Sequence, residues 1–204
     1  MADSQNALII FIKNPELGKV KTRLASSVGD EKALEIYKQL LTKTLQIVTN
    51  VNCVKYVYYS EKIVKNDIWD NKIFKKKLQK GNDLGERMLN AFTEIFAEEG
   101  INNVAIIGSD CPSLPPSFME KAFEELRYNS FVLGPAYDGG YYLLAMRQLR
   151  FELFEKIVWS GPLVLSETVK KINKMVKTHY LLPALPDVDT LEDWENFSRN
   201  GLNL

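Results

Sequence analysis

At 204 residues, with 46% hydrophobic and 25% charged side chains, the chain is long enough to bury one sizeable core and needs no disulfide framework to hold it. Lysine plus arginine equals aspartate plus glutamate at 26 each, so net charge gives no argument for a nucleic-acid or membrane partner, and no apolar run approaches the roughly 18 residues of a membrane span. Cys53 and Cys111 lack CxxC spacing and the start lacks a basic-then-apolar leader, which predicts a reduced, cytoplasmic protein; the single histidine, His179, leaves His-rich zinc sites and histidine-based triads unsupported, so any metal is expected to be hard and oxygen-liganded, Mg2+ or Mn2+.

In chain order, strands and helices alternate. Residues 7–12 are an unbroken apolar run that predicts a first strand. Asp30 can cap a long helix to about residue 50, with Leu34, Tyr37, Leu41, Leu45 and Val48 at helical spacing. Residues 54–59 read as a second strand, and 73–78, loaded with lysines, as an edge strand. Asp83-Leu84-Gly85-Glu86 has capping-box spacing before a stripe of Met88, Leu89, Phe92, Ile95 and Phe96. Residues 104–107 predict a strand buried on both faces, and a helix runs from Pro116 to about residue 128. Strands at 131–133 and 141–146 flank a short loop that can reverse the chain into an antiparallel pair. Helices near 150–158 and 163–176, a strand at 179–182 and a last helix from Thr190, with Asp193 at capping spacing, complete the chain. The alternation predicts one α/β domain over residues 1–204, a mostly parallel sheet covered by helices on both faces.

Polar clusters stand at the ends of these strands, the rim at which open α/β sheets bind ligands. After the first strand come Lys13, Lys19, Lys21 and Arg23, around Gly18, suited to neutralise phosphates through side chains; the spacing of a P-loop is missing. The 104–107 strand runs into Gly108-Ser109-Asp110-Cys111-Pro112. On the rim Asp110 would hold a divalent cation beside a phosphate, with the Ser109 hydroxyl adjoining; in a turn or at a helix N-cap it would be structural. Asp138 precedes two glycines, which serve either a tight turn at a ligand or a plain hairpin. Asp187 and Asp189, two apart, share one side of an extended segment and either complete a metal site or favour the helix that follows. Gln79, Gly81 and Asp83 lie in a helix-entry loop that offers amides and glycines to a nucleobase.

Taken together, GKVKTRL, GNDLGERM, IGSDCP, LGPAYDGGYYLL and DVDTLEDW resemble, across essentially the whole chain, a family of small GT-A-like candidate glycosyltransferases associated with radical-SAM and selenoprotein-domain systems. The resemblance implies the three-layer GT-A, or nucleotide-diphospho-sugar transferase, fold. The chain is also similar to molybdenum-cofactor guanylyltransferase and phospholactate guanylyltransferase. It departs from nucleotidyltransferases in lacking a G-G-x-S-x-R-M-G-type loop after the first strand, so side chains of Lys19, Lys21 and Arg23 would replace a row of backbone N–H groups.

The expectation is a metal-dependent transferase with a nucleotide or nucleotide-sugar donor. Glycosyl transfer to a small-molecule or glycan acceptor comes first. The alternatives are nucleotidyl transfer from a triphosphate, with release of pyrophosphate, and nucleotide binding without catalysis. In the first scheme the backbone near Phe11–Lys13 and the 79–83 loop hold the base, while Lys19, Lys21 and Arg23 grip the phosphates. Trp159-Ser160-Gly161-Pro162, with Ser166 and Thr168, is expected to wall the acceptor, Trp159 stacking on a sugar ring or packing in the core. Asp110 with Asp187 or Asp189 holds the metal, and Asp138 orients or deprotonates the acceptor hydroxyl. Asp110→Asn is expected to abolish metal-dependent turnover with little loss of folding stability.

Overall fold

The structure, a computed structural model, describes residues 5–159 and 161–201. Its elements are β1 (Gln5–Ile12), α1 (Thr22–Val28), α2 (Asp30–Thr49), β2 (Val54–Tyr59), β3 (Phe74–Leu78), α3 (Leu84–Phe96), β4 (Ile101–Ile107), α4 (Pro116–Glu125), β5 (Phe131–Pro135), β6 (Tyr141–Met146), α5 (Val164–Lys174), β7 (His179–Leu181) and α6 (Leu191–Gly201). The strands form one sheet in the order β3-β2-β1-β4-β6-β5-β7. All neighbours are parallel except β6, which runs antiparallel to both β4 and β5. The α/β architecture read from the alternation is the observed one.

β1 shows why the sheet needs helices on both sides. Its side chains alternate between faces, and Ala7 through Ile10 are all fully buried. Leu8 and Ile10 pack in a cluster with Ile36, Tyr37, Leu40 and Leu41 of α2. Ala7 and Ile9 join Met88, Phe92 and Ile95 of α3 on the other face. β3 is the edge strand its lysines foretold. Lys75 and Lys77 pair with Glu98, Lys77 also with Glu94, and Lys76 with Asp67.

Three local expectations change. Residues 22–28 form a helix where the sequence reads as loop; α1 has no acidic first turn and no side-chain cap, and Leu24 is its one buried residue. Asp30 lies inside the first turn of α2, and Gly29, at φ 83°, is the residue that precedes it. The helix expected near 150–158 is a single 3-10 turn, Phe151–Leu153. Among the described residues no helix is long and apolar enough to cross a membrane.

Candidate functional site at the C-terminal rim of the sheet

The chain winds from β1 outward through β2 to β3, then returns to place β4 on the other side of β1. This reversal opens a crevice at the strand ends. A cavity of about 620 Å³ lies there, large enough for a nucleotide. Residues that follow β1, β3 and β4 line it, as does the β5–β6 turn.

A backbone hydrogen bond brings the carboxylates together. Val188 N donates to Asp110 O at 2.8 Å, fastening the extended segment before α6 to the end of β4. Val188 points inward and is buried, so Asp187 and Asp189 on either side of it face the rim with Asp110. Lys21 Nζ lies 2.7 Å from Asp110 Oδ1, 3.1 Å from Asp189 Oδ1 and 2.6 Å from Val188 O. Burial alone would lower the Lys21 pKa, yet the two carboxylates hold it above the ordinary lysine value. Arg23 is exposed and reaches Asp189 only at 3.7 Å. Burial raises the Asp187 pKa to about 6, helped by the negative charge of Asp138, Asp189 and Asp110. Asp138 sits in a tight turn in which Gly140 N donates to its Oδ1 at 2.8 Å.

The rest of the lining combines apolar side chains with a few fixed polar groups. Gln79 Nε2 donates to Ile12 O at 3.0 Å and to Tyr58 O at 2.9 Å, which leaves its Oε1 as the group available to a ligand. Lys13 N donates to the Tyr37 hydroxyl, and the same hydroxyl contacts Ser109 Oγ at 3.3 Å. Ser109 is thus held by the fold as well as lining the cavity. Trp159 also lines the cavity and stacks on Phe154 with ring centroids 6.4 Å apart. Its indole lies where a side chain at position 85 would stand: a Cβ on Gly85 would fall 2.0 Å from Trp159 Nε1. Ser160 lies outside the described residues.

Of the residues singled out in the sequence, Lys13, Lys21, Arg23, Gln79, Ser109, Asp110, Asp138, Asp187 and Asp189 all line this one cavity. Three do not. Lys19 is exposed and paired with Glu16 and Glu61. Asp83 is the N-cap of α3, accepting from Glu86 N at 2.8 Å, and Gly81 donates no group to the cavity but gives its carbonyl to Arg87 Nε at 3.1 Å. On the acceptor side Thr168 is fully buried and Ser166 bonds back to Leu163 O, so neither forms part of the wall. Sequence reasoning missed Arg87, which lines the cavity and has no acidic partner among the described residues. Its signal was its place one turn past the Asp83 cap, where a helix presents side chains to the rim.

Among the described residues no three histidine, cysteine or acidic side chains converge to hold a metal unaided. The donor set still fits a hard divalent cation. Mg2+ takes one or two carboxylates and completes its shell with phosphate oxygens, and Asp110, Asp138, Asp187 and Asp189 all line the one cavity.

Residues 44–161 match the family described as "Uncharacterized protein conserved in bacteria (DUF2064)". No curated protein matches the chain. Among solved structures, the chain is similar to a candidate nucleotide-diphospho-sugar transferase from Desulfovibrio desulfuricans G20, with 32% identity and a TM-score of 0.89 over 98% of this chain and 89% of that one. It shares its fold with 4-diphosphocytidyl-2C-methyl-D-erythritol synthase from Anaerococcus prevotii DSM 20548, at 12% identity and a TM-score of 0.61 over 98% and 97% of the two chains. It also shares its fold with Rv0371c from Mycobacterium tuberculosis H37Rv in complex with manganese, at 11% identity and a TM-score of 0.57 over 95% and 97%.

Proposed function

The chain belongs to the DUF2064 family, and from that premise we propose that it is one metal-dependent transferase domain acting on a nucleotide-activated donor, by glycosyl transfer from a nucleoside diphosphate-sugar. The observation that carries the reading is the rim cavity itself, where Asp110, Asp138, Asp187 and Asp189 share a wall and Gln79, Arg87 and Trp159 furnish another. The relative from Desulfovibrio desulfuricans, named for nucleotide-diphospho-sugar transfer, supports the donor class.

In this reading the base lies between Phe11, Leu84, Met88 and Trp159, and Gln79 Oε1 accepts a hydrogen bond from it. Lys13 and Arg23 meet the diphosphate. Asp110, with Asp187 or Asp189, would hold Mg2+ or Mn2+, and the ion would supply neutralising charge to the departing diphosphate. Asp138 keeps one carboxylate oxygen on Gly140 N and turns the other to the acceptor hydroxyl, orienting it and taking its proton.

Product analysis tests this. Purified protein is incubated with Mg2+ or Mn2+, a panel of nucleotide sugars and triphosphates, and pooled acceptors. Release of nucleoside diphosphate from a nucleotide sugar is the expected result. Pyrophosphate release from a triphosphate instead would establish nucleotidyl transfer. Tight binding with neither product would leave a nucleotide-binding module.

A further inference from the structure

The inference rests on the metal-dependent reading above and concerns the ammonium of Lys21. Its backbone is held at φ 48°, ψ 46°, the left-handed region that non-glycine residues seldom adopt, immediately before α1. The strained position delivers a side chain that is 5% exposed into the carboxylate rim. There its three N–H donors have three acceptors: Asp110 Oδ1, Asp189 Oδ1 and Val188 O. Nothing remains for a phosphate. The sequence groups Lys21 with Lys19 and Arg23 as phosphate-gripping residues, but it is the one of the three with a fully committed ammonium.

Asp110 and Asp189 are also two of the three carboxylates that the reading gives to the metal. An ammonium within 3.1 Å of both oxygens and a divalent cation on the same oxygens repel at close range, in a site partly removed from water. Wherever the metal needs those two oxygens, the two cations compete for them. We propose that Lys21 is a positioning residue, the resident counter-cation of the Asp110–Asp189 pair, which keeps the rim assembled without ligand and is exchanged for the metal when the donor arrives. The exchange conserves charge contacts. The carboxylates pass from ammonium to metal, and the freed ammonium finds a new partner in the incoming diphosphate. The Val188 N to Asp110 O bond stays in place throughout, so the rim need not come apart. The metal alone is then a weak ligand, because it must evict Lys21 with nothing to receive it.

The test is Mn2+ binding by calorimetry and electron paramagnetic resonance, on wild type and Lys21→Met, without nucleotide and with saturating ADP, CDP, GDP or UDP. The expected result is nucleotide-free Mn2+ affinity at least about tenfold higher in Lys21→Met, since no ammonium has to be displaced; a merely structural lysine would lower or leave that affinity. Equal or weaker binding by the variant, while wild type binds Mn2+ with a diphosphate, overturns the exchange and leaves the metal reading standing. No Mn2+ bound by either protein under any condition removes the metal reading and the exchange with it. A second measurement on wild type covers a variant that fails to fold. Acetylation of Lys21 by an N-hydroxysuccinimide ester, followed by mass spectrometry, is expected to rise at least about fivefold on Mn2+ saturation relative to Lys13; an unchanged ratio overturns the proposal.

Discussion

Asp187 carries the pH response of the rim. Burial, with Asp138, Asp189 and Asp110 adding negative charge, raises its pKa from 3.8 to about 6 in the folded protein. Ionisation is therefore disfavoured in the native state, and the stability this group contributes is complete below about pH 4 and is lost as pH rises through 6. The full shift corresponds to about 3 kcal/mol, which solvent screening of a half-exposed carboxylate cuts to roughly 1 kcal/mol. Asp187→Asn is expected to match wild type near pH 4 and to exceed it by that amount at pH 7.5, both without metal, as read by denaturant unfolding at the two pH values. The Asp110→Asn expectation changes with the structure in hand. Loss of the proposed metal-dependent turnover is expected as before, but the substitution also strips Lys21 of its 2.7 Å partner. A buried ammonium left with one carboxylate costs stability, here about 1–2 kcal/mol because Asp110 is itself half exposed. A loss of turnover with no change in melting would show that Asp189 and Val188 alone satisfy Lys21. Asp110 and its neighbours were legible as residues because each follows an apolar strand or turn signal directly in the chain. Which of them pair with a lysine was not legible, because the Lys21–Asp189 contact joins positions 168 residues apart.

Between elements, the tightest fit at the site is α3 against the segment that follows the 3-10 turn. Gly85 lets the Trp159 indole lie on the first turn of α3, at a distance no side chain would permit. Gly85→Ala is expected to push Trp159 into the cavity, costing about 1–3 kcal/mol of stability through overpacking and weakening donor binding more than metal binding. A changed Trp159 emission with unaltered Mn2+ affinity would locate the effect on the base side. The same contact shows where local reading stops. The start of α3 was readable because its cap is local, Asp83 bonding a backbone three residues ahead. α1 was not, since nothing in residues 22–28 caps it; it begins where Lys21 is anchored from afar and ends where Gly29 turns the chain. The expected helix near 150–158 fails for a related reason. Its apolar residues Leu153 and Phe154, with Trp159 just beyond, fill the space beside α3 rather than form a helical stripe.

At the scale of the whole molecule, the site exists because the sheet reverses direction at β1 and collects loops from both halves of the chain on one rim. A donor that bridges Gln79 and Asp110 therefore ties together loops from the two sides of β1. At about 100 times its dissociation constant such a ligand adds roughly 2.7 kcal/mol of stability, or on the order of 5–10 °C in melting temperature for a chain of this size. Thermal shift is expected to show this for a nucleoside diphosphate with Mn2+ and a smaller shift for either alone. The sequence by itself determined the strand and helix alternation, the lysine-rich edge and the polar residues that follow the strands, because apolar periodicity and strand-end polarity are written within a few residues of each other. Only the tertiary structure decided which rim residues act together. It removed Lys19 and Asp83, added Arg87, and committed Lys21 to two carboxylates, since each of these outcomes depends on loops that approach through the sheet order and not along the chain.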